Sequence, residues 1–246
     1  MARSPRLAAW SSVAGGVIGL AITPFMAAVW AYEPGVVWAD LSLLTRVVGP
    51  TLESWGALTL GSGRVVAEDG TVLAESFAYE VYGKVFFLVY LLMMPIVYWA
   101  HTAHAGATSS RWESWIWRVL WTALTLACVG DAVSYWGISV PGDAGQTLWG
   151  LGFAVEIVAV LGLLAATTLY GVIALRQGVL PRASSALLVG VVPIAVLTLI
   201  GVTPYVPNAV VVPMSLIWAS VGVWLLFGGR SSRPGGGRTP VAVNPS

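Results

Sequence analysis

The sequence predicts an all-α membrane protein: a bundle of six transmembrane helices with both termini cytoplasmic and an extracytoplasmic cap between helices 1 and 2. Three observations lead there. Of 246 residues, 57% are hydrophobic and only 9% charged, with a mean hydropathy of +0.82, whereas soluble domains average about 45–50% apolar and roughly 25% charged. Six stretches provide the run of about 20 apolar residues that crosses a hydrocarbon core. Basic residues gather at alternate ends of those stretches, the asymmetry that sets orientation.

The first stretch, about Leu7–Trp30, follows Arg3 and Arg6. Ala-Val-Trp-Ala at 28–31 loosely fits a signal-peptidase site. The apolar run of about 24 residues exceeds the usual 7–15-residue core of a signal peptide, so a retained helix is expected. The other five run about Ala78–Ala100, Trp115–Trp136, Thr147–Leu175, Ala183–Thr203 and Pro207–Phe227. Residues 1–229 thus form one transmembrane domain.

Residues 31–77 make the cap. Val36, Trp38, Leu41, Leu44, Val48, Leu52 and Trp55 recur at three- and four-residue steps around Gly49-Pro50, reading as two short amphipathic helices. Asp69-Gly70 between two β-branched runs then signals a hairpin, because a type I′ turn needs positive φ at both central residues. Residues 230–246, rich in Gly, Pro and Arg without periodicity, read as a disordered cytoplasmic tail.

With the N-terminus inside, nine of the twelve basic residues fall on the cytoplasmic side, leaving Arg46, Arg64 and Lys84 outside. Acids do the reverse, with Glu33, Asp40, Glu53, Glu68, Asp69, Glu75, Glu80 and Asp143 outside. Eight of thirteen tryptophans, Trp117 among them, lie near predicted span ends, as an interfacial belt requires. Pro24, Pro95, Gly190 with Pro193, and Pro213 interrupt spans, a device that lines cavities in transporters but is also ordinary in membrane helices. Spans one to three share no motif spacing with four to six, so no internal repeat is read.

Charge inside a membrane is costly and marks where function is written. Lys84, Asp131 and Glu156 stand out. At 1.5 Å per residue they lie roughly 9, 8 and 13 Å below the outer ends of spans two, three and four. Because those spans alternate direction, all three arrive in the outer half. Glu80 is one turn from Lys84, while Ser134 and Tyr135 flank Asp131 and Gly152 precedes Glu156 by a turn. These residues define an expected outward-opening polar pocket for a small molecule, lipid or proton. The competing reading is a structural ion pair around Lys84 that keeps helices in register.

Other chemistries lose their residues. A single cysteine, Cys128, excludes an intrachain disulfide and any cysteine-built metal site. His101 and His104 are the sole histidines; their i,i+3 spacing makes them weak metal candidates, with Glu113 the nearest further donor, and no metal or other cofactor is expected. Lys84 is the only lysine, but a retinal Schiff base is disfavoured by six spans and a lysine in the second. A net charge of +1 gives no reason to expect nucleic acid. The lipid bilayer is the expected environment, in the cell membrane. Two functional alternatives stay open: an accessory subunit that meets a membrane-protein partner, and an envelope enzyme using Glu156 or Asp131 as acid/base on a lipid-linked substrate.

Overall fold

The structure, a computed structural model, describes residues 5–31, 64–66, 72–75, 82–104, 110–137, 139–202 and 205–227. Helix α1 is Pro5–Ala31. Strands β1 (Arg64–Val66) and β2 (Val72–Glu75) pair antiparallel, with Arg64 opposite Glu75. Helices α2 (Phe87–His104), α3 (Arg111–Gly137), α4 (Asp143–Gln177), α5 (Arg182–Val189), α6 (Val191–Gly201) and α7 (Val206–Phe227) follow. The expected amphipathic helices of the cap, the Asp69-Gly70 turn and the tail at 230–246 lie outside the described residues.

Five helical segments are long and apolar enough to cross a membrane: Pro5–Phe25, Tyr82–Ala103, Arg111–Gly137, Asp143–Gln177 and Val206–Phe227. A sixth is made only if α5 and α6, bent by 62° at their junction, count as one span. Proline permits the bend. Pro193 has no N–H to give and its ring collides with the carbonyl four residues back, that of Val189, where α5 ends. Pro24, Pro95 and Pro213, by contrast, sit inside uninterrupted helices. The helices outrun the apolar stretches that predict them: α3 starts at Arg111 and α4 at Asp143, four residues earlier in each case. Gly178, with φ of 66°, stops α4 by returning its N–H to the Ala174 carbonyl.

Helices α3 and α4 form a long antiparallel pair, and its register is fixed by glycine. A Cβ on Gly152 would stand 2.5 Å from the Ser134 nitrogen and 2.6 Å from the Gly130 oxygen; one on Gly130 would stand 2.7 Å from the Glu156 nitrogen. Backbone touches backbone there, as small residues permit in membrane bundles. On the other side α1 packs against α7 and α2 by the same means. Gly222 lies against Ser12 and Ala9, and Gly16 against Ala219 and Ser215. Contacts of Gly15 with Leu92 and of Gly19 with Val89 tie α1 to α2.

These contacts run the helices alternately, so one end of the bundle carries Arg6, Arg111, Arg176 and Arg182 and the other the α3–α4 turn. We call them the basic end and the turn end. The flanks are apolar and open, with Val158 71%, Leu197 70% and Ile200 63% exposed. An apolar belt of this kind fits a lipid-embedded chain and not a water-facing one. Trp10, Trp112, Trp115 and Trp136 lie exposed near helix ends. Trp117 does not belong to that belt. It is buried, and it links a file of rings across the basic half: His101 stacks on Trp117 at 4.7 Å, Trp117 meets Tyr170 at 4.6 Å, and Tyr170 stacks on Trp218 at 5.7 Å. Helix α3 places Trp117 one turn inside its polar start, where the face turned toward α4 and α2 is already closed.

Candidate functional site

The close α3–α4 contact brings two acids together. Asp131 follows Gly130 on α3, and Glu156 sits one turn after Gly152 on α4. Because both glycines let the backbones meet, the two carboxyls arrive side by side, in electrostatic contact and at hydrogen-bonding range. Both residues are fully buried. Asp131 lies six residues before the end of α3, about 9 Å along the helix from the turn end.

Glu156 is well supplied with donors. Tyr90 of α2 donates to its Oε1 at 2.8 Å, and Tyr205, just ahead of α7, donates to its Oε2 at 3.0 Å. Two phenols on a buried carboxylate are the arrangement that stabilises its charged form. Asp131 differs: both of its oxygens are buried and neither receives a hydrogen bond. The backbone N–H of Phe87, the first residue of α2, faces it. That helix start follows a break at Phe86, where Tyr82–Val85 form a separate turn, so the positive end of a helix dipole is turned toward the acid.

Aromatic rings close the site toward the turn end. Tyr82 meets Tyr135 edge-on at 5.3 Å and Tyr205 at 6.1 Å, and Phe153 stacks on Tyr205 at 5.8 Å. The Tyr135 hydroxyl donates to that of Tyr82 at 3.4 Å and also meets the hydroxyl of Tyr205. Tyr135 packs its ring onto Gly83, where a Cβ would collide with it. Tyr82, Phe86 and Tyr90 are thus one stripe of span two at four-residue spacing, all fully buried.

The predicted residues separate into two groups. Asp131, Glu156 and Tyr135 lie in the cluster. Ser134 is buried next to it, but its hydroxyl goes to the Trp149 carbonyl at 3.2 Å. Lys84 is elsewhere: its Nζ lies over the Trp136 ring at 5.8 Å, and neither carboxyl of the pair has it as a partner. The reason is azimuth. At 100° per residue, Lys84 points away from the Tyr82–Phe86–Tyr90 stripe. Glu80 is outside the described residues. Asp131, Glu156, Tyr82, Tyr90, Tyr135 and Tyr205 are each no more than 5% exposed, and Phe153 is partly exposed.

His101 is taken up by Trp117, and Glu113 accepts a hydrogen bond from Gln177 at 2.9 Å. Among the described residues, no group of three His, Cys, Asp or Glu side chains could hold a metal ion. Tyr82, Tyr90 and Tyr205 were not singled out in the sequence. The first two carry a signal that was available, aromatic residues every fourth position within a span; Tyr205, just ahead of α7, carries none.

No family model matches the chain, and no curated protein or solved structure matches it. The fold and composition fit a polytopic helical membrane protein.

Proposed function

We propose that the chain is a multi-pass cell-membrane protein that binds or transports a small ligand at the Asp131–Glu156 pair. One observation carries this reading. Two carboxyls lie side by side in the buried interior with no cationic side chain among the described residues to balance them, an arrangement that costs several kcal/mol per charge. A purely structural pair would place opposite charges together. Here the one buried-depth lysine is turned away, and one carboxyl keeps both oxygens unclaimed.

In this reading the chain makes six spans, α5 and α6 sharing the fifth. The basic end, by the excess of arginine there, is cytoplasmic along with both termini. The turn end faces outward, and residues 31–77, including the β1–β2 hairpin, cap it next to the tyrosine layer. Ligand reaches the carboxyls from that side.

Thermal unfolding of the purified protein in nanodiscs tests the reading, titrated separately with protons, sodium chloride and lipid extract. The wild type should shift its midpoint with at least one of them, while Glu156→Gln, folded, should lose that response. Identical responses in the two proteins would overturn the proposal. If Glu156→Gln does not fold, Asp131→Asn serves as the second variant; collapse of both would favour an accessory subunit with structural charges.

A further inference from the structure

We infer that Asp131 and Glu156 hold one proton between them, carried by Asp131, and exchange it with the outer water through the hydroxyls of Tyr205, Tyr135 and Tyr82. The inference rests on reading this cluster as the ligand site and names its ligand.

The location of the proton follows from the donors. Two ionised carboxylates are acceptors only, so a hydrogen bond between them exists only when one is protonated. Glu156 already accepts from Tyr90 and Tyr205, which suits a carboxylate. Asp131 accepts from no side chain and has only the Phe87 backbone N–H facing it, and so is the partner with an O–H to give. Among the described residues, the groups facing the pair are Tyr82 and Tyr90 from span two, Cys128 and Tyr135 from α3, and Tyr205 ahead of α7, all of them hydrogen-bonding groups without a formal charge. The charge left in the site is therefore one negative unit, met by two phenols and the start of α2.

The size of the ligand follows from burial. Asp131, Glu156, Tyr82 and Tyr90 are all fully buried, and Tyr205, at 5%, is the most exposed member. A lipid or organic solute needs the rings to part; a proton does not. It passes along hydroxyls, each giving its own proton onward while taking another from behind, so that no tyrosinate is left. The hydroxyls for such a chain lie in one cluster: Tyr205 donates to Glu156 and Tyr135 donates to Tyr82, with Tyr135 beside Tyr205. Rotating the Tyr135 hydroxyl turns its donor from Tyr82 to Tyr205, and rotation of hydroxyls is free of heavy-atom movement. Toward the basic end Met93, Ile96, Leu120, Leu124, Val160 and Leu163 make up most of the core among the described residues, and the buried hydroxyl of Thr167 is turned to the Met214 sulfur. The tyrosine hydroxyls thus lie on the turn-end side of the pair.

Infrared difference spectroscopy of the full-length protein in lipid membranes tests this. At neutral pH the wild type should show the carbonyl band of a protonated carboxylic acid, which shifts in deuterium oxide. Asp131→Asn should abolish the band. Tyr135→Phe should keep it but slow its deuterium shift at least tenfold, while Tyr98→Phe, remote on α2, should change neither. Three results would overturn the inference: no such band in the wild type, a band of full intensity in Asp131→Asn, or an unchanged exchange rate in Tyr135→Phe. Loss of the band on adding sodium would do so too, assigning the site to a metal cation. Should Asp131→Asn fail to fold, the wild-type band and the Tyr135→Phe rate decide. A missing band with persistent salt- or lipid-dependent stabilisation would remove the proton and leave the ligand-site reading standing.

Discussion

At the scale of single residues, the decisive asymmetry is between two acids one helix apart. Glu156 has two tyrosine donors and Asp131 has none, although nothing in the sequence distinguishes them beyond depth. Removing one donor has a definite expectation. Tyr90→Phe and Tyr205→Phe should each destabilise the bundle by about 1–3 kcal/mol, the worth of a hydrogen bond to a charged acceptor. The double variant should cost more than the sum, because it leaves the carboxylate with no tyrosine donor and only the Asp131 O–H. Unfolding in sodium dodecyl sulfate, read by tryptophan fluorescence, measures both; strict additivity would mean that the two phenols do not share Glu156. The misplacement of Lys84 belongs to this scale as well. Rise per residue gives a level along the helix, but level is one coordinate of two. The second, the direction around the helix, is relative to neighbours that composition does not place.

At the scale of elements, the α3–α4 pair decides the site, and it depends on two glycines. Gly152→Ala puts a methyl into the backbone of Ser134 and Gly130, which cannot yield. The helices must separate, at a cost of about 1–3 kcal/mol for overpacking, and Asp131 must move off Glu156. Gly150→Ala, two residues away, meets nothing within 4 Å and should be neutral or slightly stabilising. Thermal midpoints of the two variants in detergent check this, and equal losses would show that the helix contact is not the close one described. Small residues along span four were legible in the sequence as a packing face. Which of them touches backbone was not, since Gly150 and Gly152 look alike until α3 is laid beside α4. The α5–α6 break was half legible: Gly190 and Pro193 announce an interruption, but whether the chain bends by 62° or runs on, as at Pro95, depends on what packs against the freed carbonyls.

For the whole molecule, the alternating helix directions and the gathering of arginine at one end make a prediction about sidedness. In a Cys128→Ser background, a cysteine at Ser110, at the start of α3, should react with a membrane-impermeant maleimide only after the cells are opened. A cysteine at Ser139, in the α3–α4 turn, should react in intact cells. The reverse pattern would invert the orientation and put the carboxyl pair on the cytoplasmic side. The same two ends organise the interior: a tyrosine–carboxyl cluster near the turn end, and the file from His101 through Trp117 and Tyr170 to Trp218 near the basic end, with an apolar layer between.

The sequence by itself determined the class of the molecule, the rough limits of its helices and the level of its buried charges along them, because each follows from the free energy of a residue in hydrocarbon or water, or from its count along the helix, and so is read one position at a time. It even placed Asp131 and Glu156 at a common level. Only the tertiary structure decided that these two meet and Lys84 does not, that Trp117 lies inside, and that Tyr82, Tyr90, Tyr135 and Tyr205 surround the acids. Those are matters of facing, and facing is set by the rotation of each helix against its neighbours, where contacts such as Gly130 on Gly152 fix the angle.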